Sequence, residues 1–154
     1  RAGARARDNS PMWPGCSDVR FVDMPGEHTA MGWPVDETGL HELLLRLYRE
    51  YGVPLVITEN GAAYDDSVSA DGEIHDAQRV SYLRRHLAAV HQAIADGVDL
   101  RGYYVWSLMD NFEWAWGYDK RFGVVRVDFD TQERTIKDSG HFYRDVVRDN
   151  ALPA

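Results

Sequence analysis

The chain has 154 residues, 44% hydrophobic and 27% charged, ordinary proportions for one soluble domain with a buried core. Lys and Arg total 17 against 25 Asp and Glu, a formal charge of −8 that repels phosphate backbones and anionic lipid, so neither nucleic acid nor membrane partners are expected. No apolar run approaches the roughly 20 residues that span a bilayer, and the lone Cys16 cannot form an internal disulfide.

The opening Arg1–Arg7 has no apolar stretch of the length a secretory leader needs, and the first residue is not Met. The expectation is a chain cut from something longer, of cytoplasmic origin. Residues 1–30 carry Gly, Pro and charge without periodicity (Trp13-Pro14-Gly15, Pro25-Gly26) and are read as a connecting segment; 31–154 are read as one incomplete domain. Thr38 is the expected cap of a helix whose apolar positions Leu40, Leu43, Leu44, Leu47, Tyr48 and Tyr51 follow the 3-4 spacing up to Gly52. Val53–Ile57 follows as a short apolar strand covered on both faces. After a polar loop over residues 61–75, Asp76 is placed to cap a second helix with the stripe Val80, Leu83, Leu87, Val90 and Ile94, closed by Gly97. A second strand is predicted through Tyr103–Trp106, then a hairpin from Phe122 to Phe129 turning near Asp130-Thr131, and a terminal helix over Lys137–Asp149.

Helix, strand, helix, strand is the order of parallel βαβ units. Two such strands cannot satisfy both edges alone, so neighbours outside the chain are expected. A barrel of eight units takes about 250 residues. The fold class is therefore α/β, the C-terminal part of a (β/α)8 barrel, and the missing N-terminal part of that barrel is the expected protein partner.

Functional groups in such folds gather at the C-terminal ends of strands. The first strand ends Thr58-Glu59-Asn60-Gly61, and a carboxylate there is costly unless paired or working. The second ends Trp106-Ser107-Leu108-Met109-Asp110-Asn111-Phe112-Glu113-Trp114. Indoles cover the apolar faces of pyranose rings, and a carboxylate accepts from neighbouring hydroxyls, so the ligand expected is a sugar.

These two segments, with Gly117-Tyr118, Lys120-Arg121-Phe122-Gly123, Gly32-Trp33, Asp128–Thr135 and Lys137-Asp138-Ser139, resemble the C-terminal part of family 1 glycoside hydrolases, the β-glucosidase family, from about Met31 to Val147. The resemblance implies a retaining glycosidase without cofactor, with Glu59 at the end of strand seven as nucleophile. It further implies Trp106 as the platform under the sugar, Glu113 and Trp114 binding its hydroxyls, Phe122 closing the pocket, and Trp33 at the entrance side against the leaving group. The chain departs from the family at Asp36-Glu37-Thr38-Gly39-Leu40, where Pro-Glu-Gly-Leu is usual.

Retaining hydrolysis needs a second carboxyl group about 5 to 5.5 Å from the nucleophile. The family carries it in an Asn-Glu-Pro motif, which does not occur here. The expected substrate is an unphosphorylated β-D-glycoside or oligosaccharide, most simply a β-glucoside. The alternatives are a non-catalytic carbohydrate-binding remnant, a β-galactosidase or β-fucosidase, and a 6-phospho-β-glucosidase. No metal site is expected: His86 and His91 are five apart on one helix and are read as surface or interface residues. Tyr103, Tyr104 and Val105 are read as barrel wall, Trp116 as rim or packing, and Asp110 and Asn111 as holding their loop.

Overall fold

A computed structural model describes residues 24–153 and, ahead of them, the backbone of two short strands. These, β1 (Arg7–Asp8) and β2 (Arg20–Phe21), lie in the segment read as a connection and pair antiparallel with Arg7 opposite Phe21. Cys16 lies outside the described residues.

Helix α1 (Glu37–Tyr51) starts earlier than Thr38: the Asp36 carboxylate accepts from the Gly39 N–H at 2.8 Å and caps it. A charged acceptor at this end also meets the positive pole of the helix dipole, which Thr cannot do. Gly52, in the left-handed region at φ 63°, ends the helix as expected. Of its apolar positions Leu44 is buried, while Leu43 and Tyr51 face outward.

Strand β3 (Leu55–Asn60) runs parallel to β4 (Leu100–Val105), and α2 (Ala77–Ala95) connects them in one βαβ unit. Both strands differ from expectation in extent: β3 continues through Glu59 to Asn60, and β4 begins at Leu100 and stops before Trp106. Coverage differs as well. Leu55, Ile57 and Leu100 pack under Leu44, Val90, Ala93 and Val98. On the opposite face Val56 is 50% and Tyr104 62% exposed, because among the described residues helices cover one side of the pair only.

In α2, Leu83, Leu87 and Val90 are buried as expected, whereas Ile94 is exposed. His86, expected at the surface, is buried and stacked on Tyr82 with ring centroids 3.8 Å apart. It lies three residues after Leu83 and four after Tyr82, which puts it on the packed stripe. Asp76 occupies the N-cap position without capping; its carboxylate serves the ion network described below.

The hairpin comprises β5 (Val125–Val127) and β6 (Arg134–Ile136), shorter than the predicted Phe122–Phe129 arm. Residues 122–124 are diverted to extend β4: Ser107 N–H donates to Phe122 O at 3.2 Å and Val124 N–H to Ser107 O at 2.9 Å. Helix α3 (Asp138–Asp149) follows, and its Phe142 joins Tyr64, Leu83, Leu87 and Val124 in a second core.

Candidate active site

Glu59 and Trp106 stand at the ends of adjacent parallel strands, tied by a hydrogen bond from Trp106 N–H to Asn60 O at 2.9 Å. The next residue, Gly61, passes so close that a Cβ there would sit 1.6 Å from the Trp106 carbonyl oxygen. Only a residue without a side chain lets the two strand ends converge this far.

The convergence opens a cleft of about 410 Å³. All six residues singled out from the sequence line it: Glu59, Trp106, Glu113, Trp114, Phe122 and Trp33. Trp33 arrives on the loop preceding α1, where Thr29 N–H donates to Trp33 O at 2.9 Å, and its ring tilts against Phe122 at 6.1 Å. Phe122 is buried; Glu59 and the indoles of Trp106 and Trp114 are open to solvent.

Glu113 is oriented by Asn111, whose amide donates to its carboxylate at 2.9 Å. Its backbone is held as well, with Glu113 N–H donating to Gly117 O at 2.6 Å across a single 3₁₀ turn, Trp114–Trp116. Trp114 takes φ 43° there, a conformation that costs a non-glycine residue about 1–3 kcal/mol, and it leaves the indole 82% exposed beside the cleft. Trp116 does not line the cleft; Lys120 sits 5.1 Å over its ring.

Three further lining residues escaped the sequence reading: Asn60, Gly61 and Tyr82. Tyr82 lies inside the apolar stripe of α2, and only tertiary packing brings it beneath the strand ends. Burial raises its phenol above the usual range. Tyr103, read as wall, donates its hydroxyl to Asn60 Oδ1 at 2.7 Å, and burial raises that phenol too.

Behind the cleft lies a buried ion network, also unread. Arg79 binds Asp66 through two bonds of 3.0 Å and pairs with Asp76. Lys137 pairs with Asp66 and donates to Asp110 Oδ1 at 2.9 Å, while Arg121 donates to Asp110 Oδ2 at 2.5 Å. Three carboxylates (Asp66, Asp76, Asp110) meet three cations (Arg79, Arg121, Lys137), and every side chain but that of Arg121 is at most 1% exposed. The network also reaches backbone: Arg79 donates to Ala62 O at 3.1 Å and to Arg121 O at 2.7 Å, and Asp110 accepts from Gly123 N–H at 3.0 Å. It thus pins the loop after Glu59 to the loop carrying Phe122. Asp110 holds its loop as the sequence suggested.

Comparison with known proteins gives a match to the family model of glycosyl hydrolase family 1 over residues 8–152. The chain belongs to this family. It is 54% identical to β-glucosidase A of Acetivibrio thermocellus over 127 residues, covering 82% of this chain and 28% of that protein. It is 53% identical to a bifunctional β-D-glucosidase/β-D-fucosidase of Bifidobacterium breve over 143 residues, 90% of this chain and 31% of that protein. The family 1 β-glucosidase structure of Thermotoga maritima superposes with a TM-score of 0.85 at 51% identity, covering 86% of this chain and 31% of that one. Structures of that enzyme include complexes with deoxynojirimycin and with glucoimidazole. The chain thus spans 28–31% of the length of these relatives, and its α/β unit is the C-terminal part of a (β/α)8 barrel, as expected.

Proposed function

We propose that this family 1 chain supplies the nucleophile and much of the sugar-binding surface of a retaining β-glucosidase. The observation that carries the reading is the cleft itself: the open Glu59 carboxylate shares it with Glu113 and the Trp106 and Trp114 indoles. Glu59 attacks the anomeric carbon, the bond to the aglycone oxygen breaks, and a glycosyl ester forms that water later opens with net retention. The departing oxygen takes its proton from a carboxylic acid about 5 to 5.5 Å away, contributed by a part of the barrel outside these residues. Trp106 receives the flat face of the ring, Glu113 accepts from its hydroxyls, and Trp33, across from Phe122, contacts the aglycone.

None of the described lining residues is cationic, and two are carboxylates, which favours an unphosphorylated glycoside over a 6-phosphate. A purely sugar-binding role leaves Glu59 without a purpose. The bifunctional relative supports β-fucosides as a second substrate class.

The test uses a complete barrel, made by substituting this chain for the matching segment of the Thermotoga maritima enzyme. Incubation with an activated 2-fluoro-β-glucoside and peptide mapping should place the label on Glu59; a label elsewhere overturns the assignment.

A further inference from the structure

Along β3 the side chains alternate between the packed and the open face: Leu55 and Ile57 toward the helices, Val56 and Thr58 away from them. Continued alternation would turn Glu59 toward the helices and Asn60 into the open. The structure has the reverse, with Thr58 and Glu59 both open and Asn60 on the packed side. The cause is visible in the register. Ile57 is opposite Tyr103 and Asn60 opposite Val105, so three steps of β3 are matched by two of β4. One residue is extra, a β-bulge, and a bulge shifts every following side chain to the other face.

A bulge beside a charged residue persists only if something holds it, and the contacts that do so converge on Asn60. Its carbonyl oxygen accepts from Trp106 N–H at 2.9 Å. Its side-chain oxygen accepts from the Tyr103 hydroxyl at 2.7 Å. Tyr103 is itself fixed from α3, where the Tyr143 hydroxyl donates to Tyr103 O at 2.9 Å.

We infer that Asn60, held through its side chain by Tyr103 and through its carbonyl by Trp106, is the positioning residue that locks the bulge at Thr58–Glu59 and so turns the Glu59 carboxylate into the cleft. The inference rests on the reading of Glu59 as the nucleophile. Asn60 touches no reacting atom. It sets the direction of attack, and a misplacement of about 1 Å can cost on the order of 100-fold in rate.

The experiment measures inactivation of the complete barrel by an activated 2-fluoro-β-glucoside, which reports the attack step and needs little help from the acid. Tyr103→Phe removes one oxygen and keeps the ring. Its inactivation rate constant should fall about 10- to 100-fold while the saturation constant for the inhibitor changes less than about twofold, because the cleft walls stay in place. In an Asn60→Ala background the same Tyr103→Phe change should have no further effect, since its influence passes through Asn60. Equal rates for Tyr103→Phe and the unmodified barrel overturn the inference, as does a full additional loss in the Asn60→Ala background. Should Tyr103→Phe not fold, Asn60→Ser, which removes the amide oxygen that accepts from Tyr103, should lower the inactivation rate constant by the same factor of about 10 to 100 at an unchanged saturation constant, and an unchanged rate overturns the inference. A label away from Glu59 in the unmodified barrel refutes the nucleophile assignment instead, so the two failures are distinguishable.

Discussion

Lys137 and Asp110 face each other at 2.9 Å with neither side chain exposed to solvent. Truncating one member of such a pair strands the others in a medium that cannot solvate them. Lys137→Met, with about the same length and no charge, should destabilise the complete barrel by about 3–5 kcal/mol. Denaturant unfolding measures it, and a loss under about 1 kcal/mol would mean that water reaches the network.

Gly61→Ala should be among the most damaging single changes in the chain, because the added methyl meets backbone and not a movable side chain. Relief requires the ends of β3 and β4 to separate. The expected result is loss of Glu59 labelling together with a lowered melting temperature; a crystal structure of the variant with both strand ends unmoved would contradict it.

Glu113→Ala should lower kcat/KM for an aryl β-glucoside by several kcal/mol, as hydroxyl contacts that tighten in the transition state are lost. Asn111→Ala leaves the carboxylate in place but unsteered and should cost about 1.5–3 kcal/mol, the range for a hydrogen bond to a charged group. The two losses should not add. Additive losses would show that Asn111 acts on something other than Glu113.

Two histidines should impose opposite pH dependences. Burial pushes the His86 imidazole below its usual value, so the folded state resists the proton that the unfolded chain takes up. Stability is lost as pH falls through the unfolded value of about 6.5. His86→Phe, which keeps a ring over Tyr82, should reduce the fall in melting temperature between about pH 7.5 and 5.5. His75, on the surface, is pulled up to about 9 by hydrogen bonds to Asp138 and Asp71. Its contribution is complete below about 6.5 and is lost as pH rises through about 9. A proton NMR titration of its ring should give that alkaline midpoint; a midpoint near the free value would mean that neither carboxylate holds it.

The 154 residues on their own should neither melt cooperatively as a monomer nor turn over an unactivated β-glucoside. Val56, Tyr104 and Leu108 are exposed, and the sequence holds no Asn-Glu-Pro. Size measurement, calorimetry and assay of the expressed chain test this; a monomer with turnover on the order of 1 to 1000 per second would overturn it.

What could be read from the sequence was local. Carboxylates and indoles directly after short apolar runs marked both strand ends, and every residue so marked lies in one cleft. The strand limits, the phase of Glu59 and the role of Asn60 could not be read, since a bulge is a property of two strands and not of either alone. The ion network was invisible for a related reason. Lys137 and Asp66 are 71 residues apart, and an isolated Lys before a helix is ordinarily solvated. Tyr82 shows the same limit: helical periodicity says that it is buried, not what it is buried against.

The charge-balanced cluster has a consequence for recombining family members. Its six ionic residues come from the loop after β3, the start of α2, the loop after β4 and the residue before α3, so its components are spread from Asp66 to Lys137. Relatives exchanged at a breakpoint inside that interval inherit part of the set from each parent. Where the parents distribute these charges differently, the hybrid carries an unbalanced charge in its interior even though each half is sound. Breakpoints placed before Asp66 or after Ser139, which donates to Asp76 from α3, transfer the set whole.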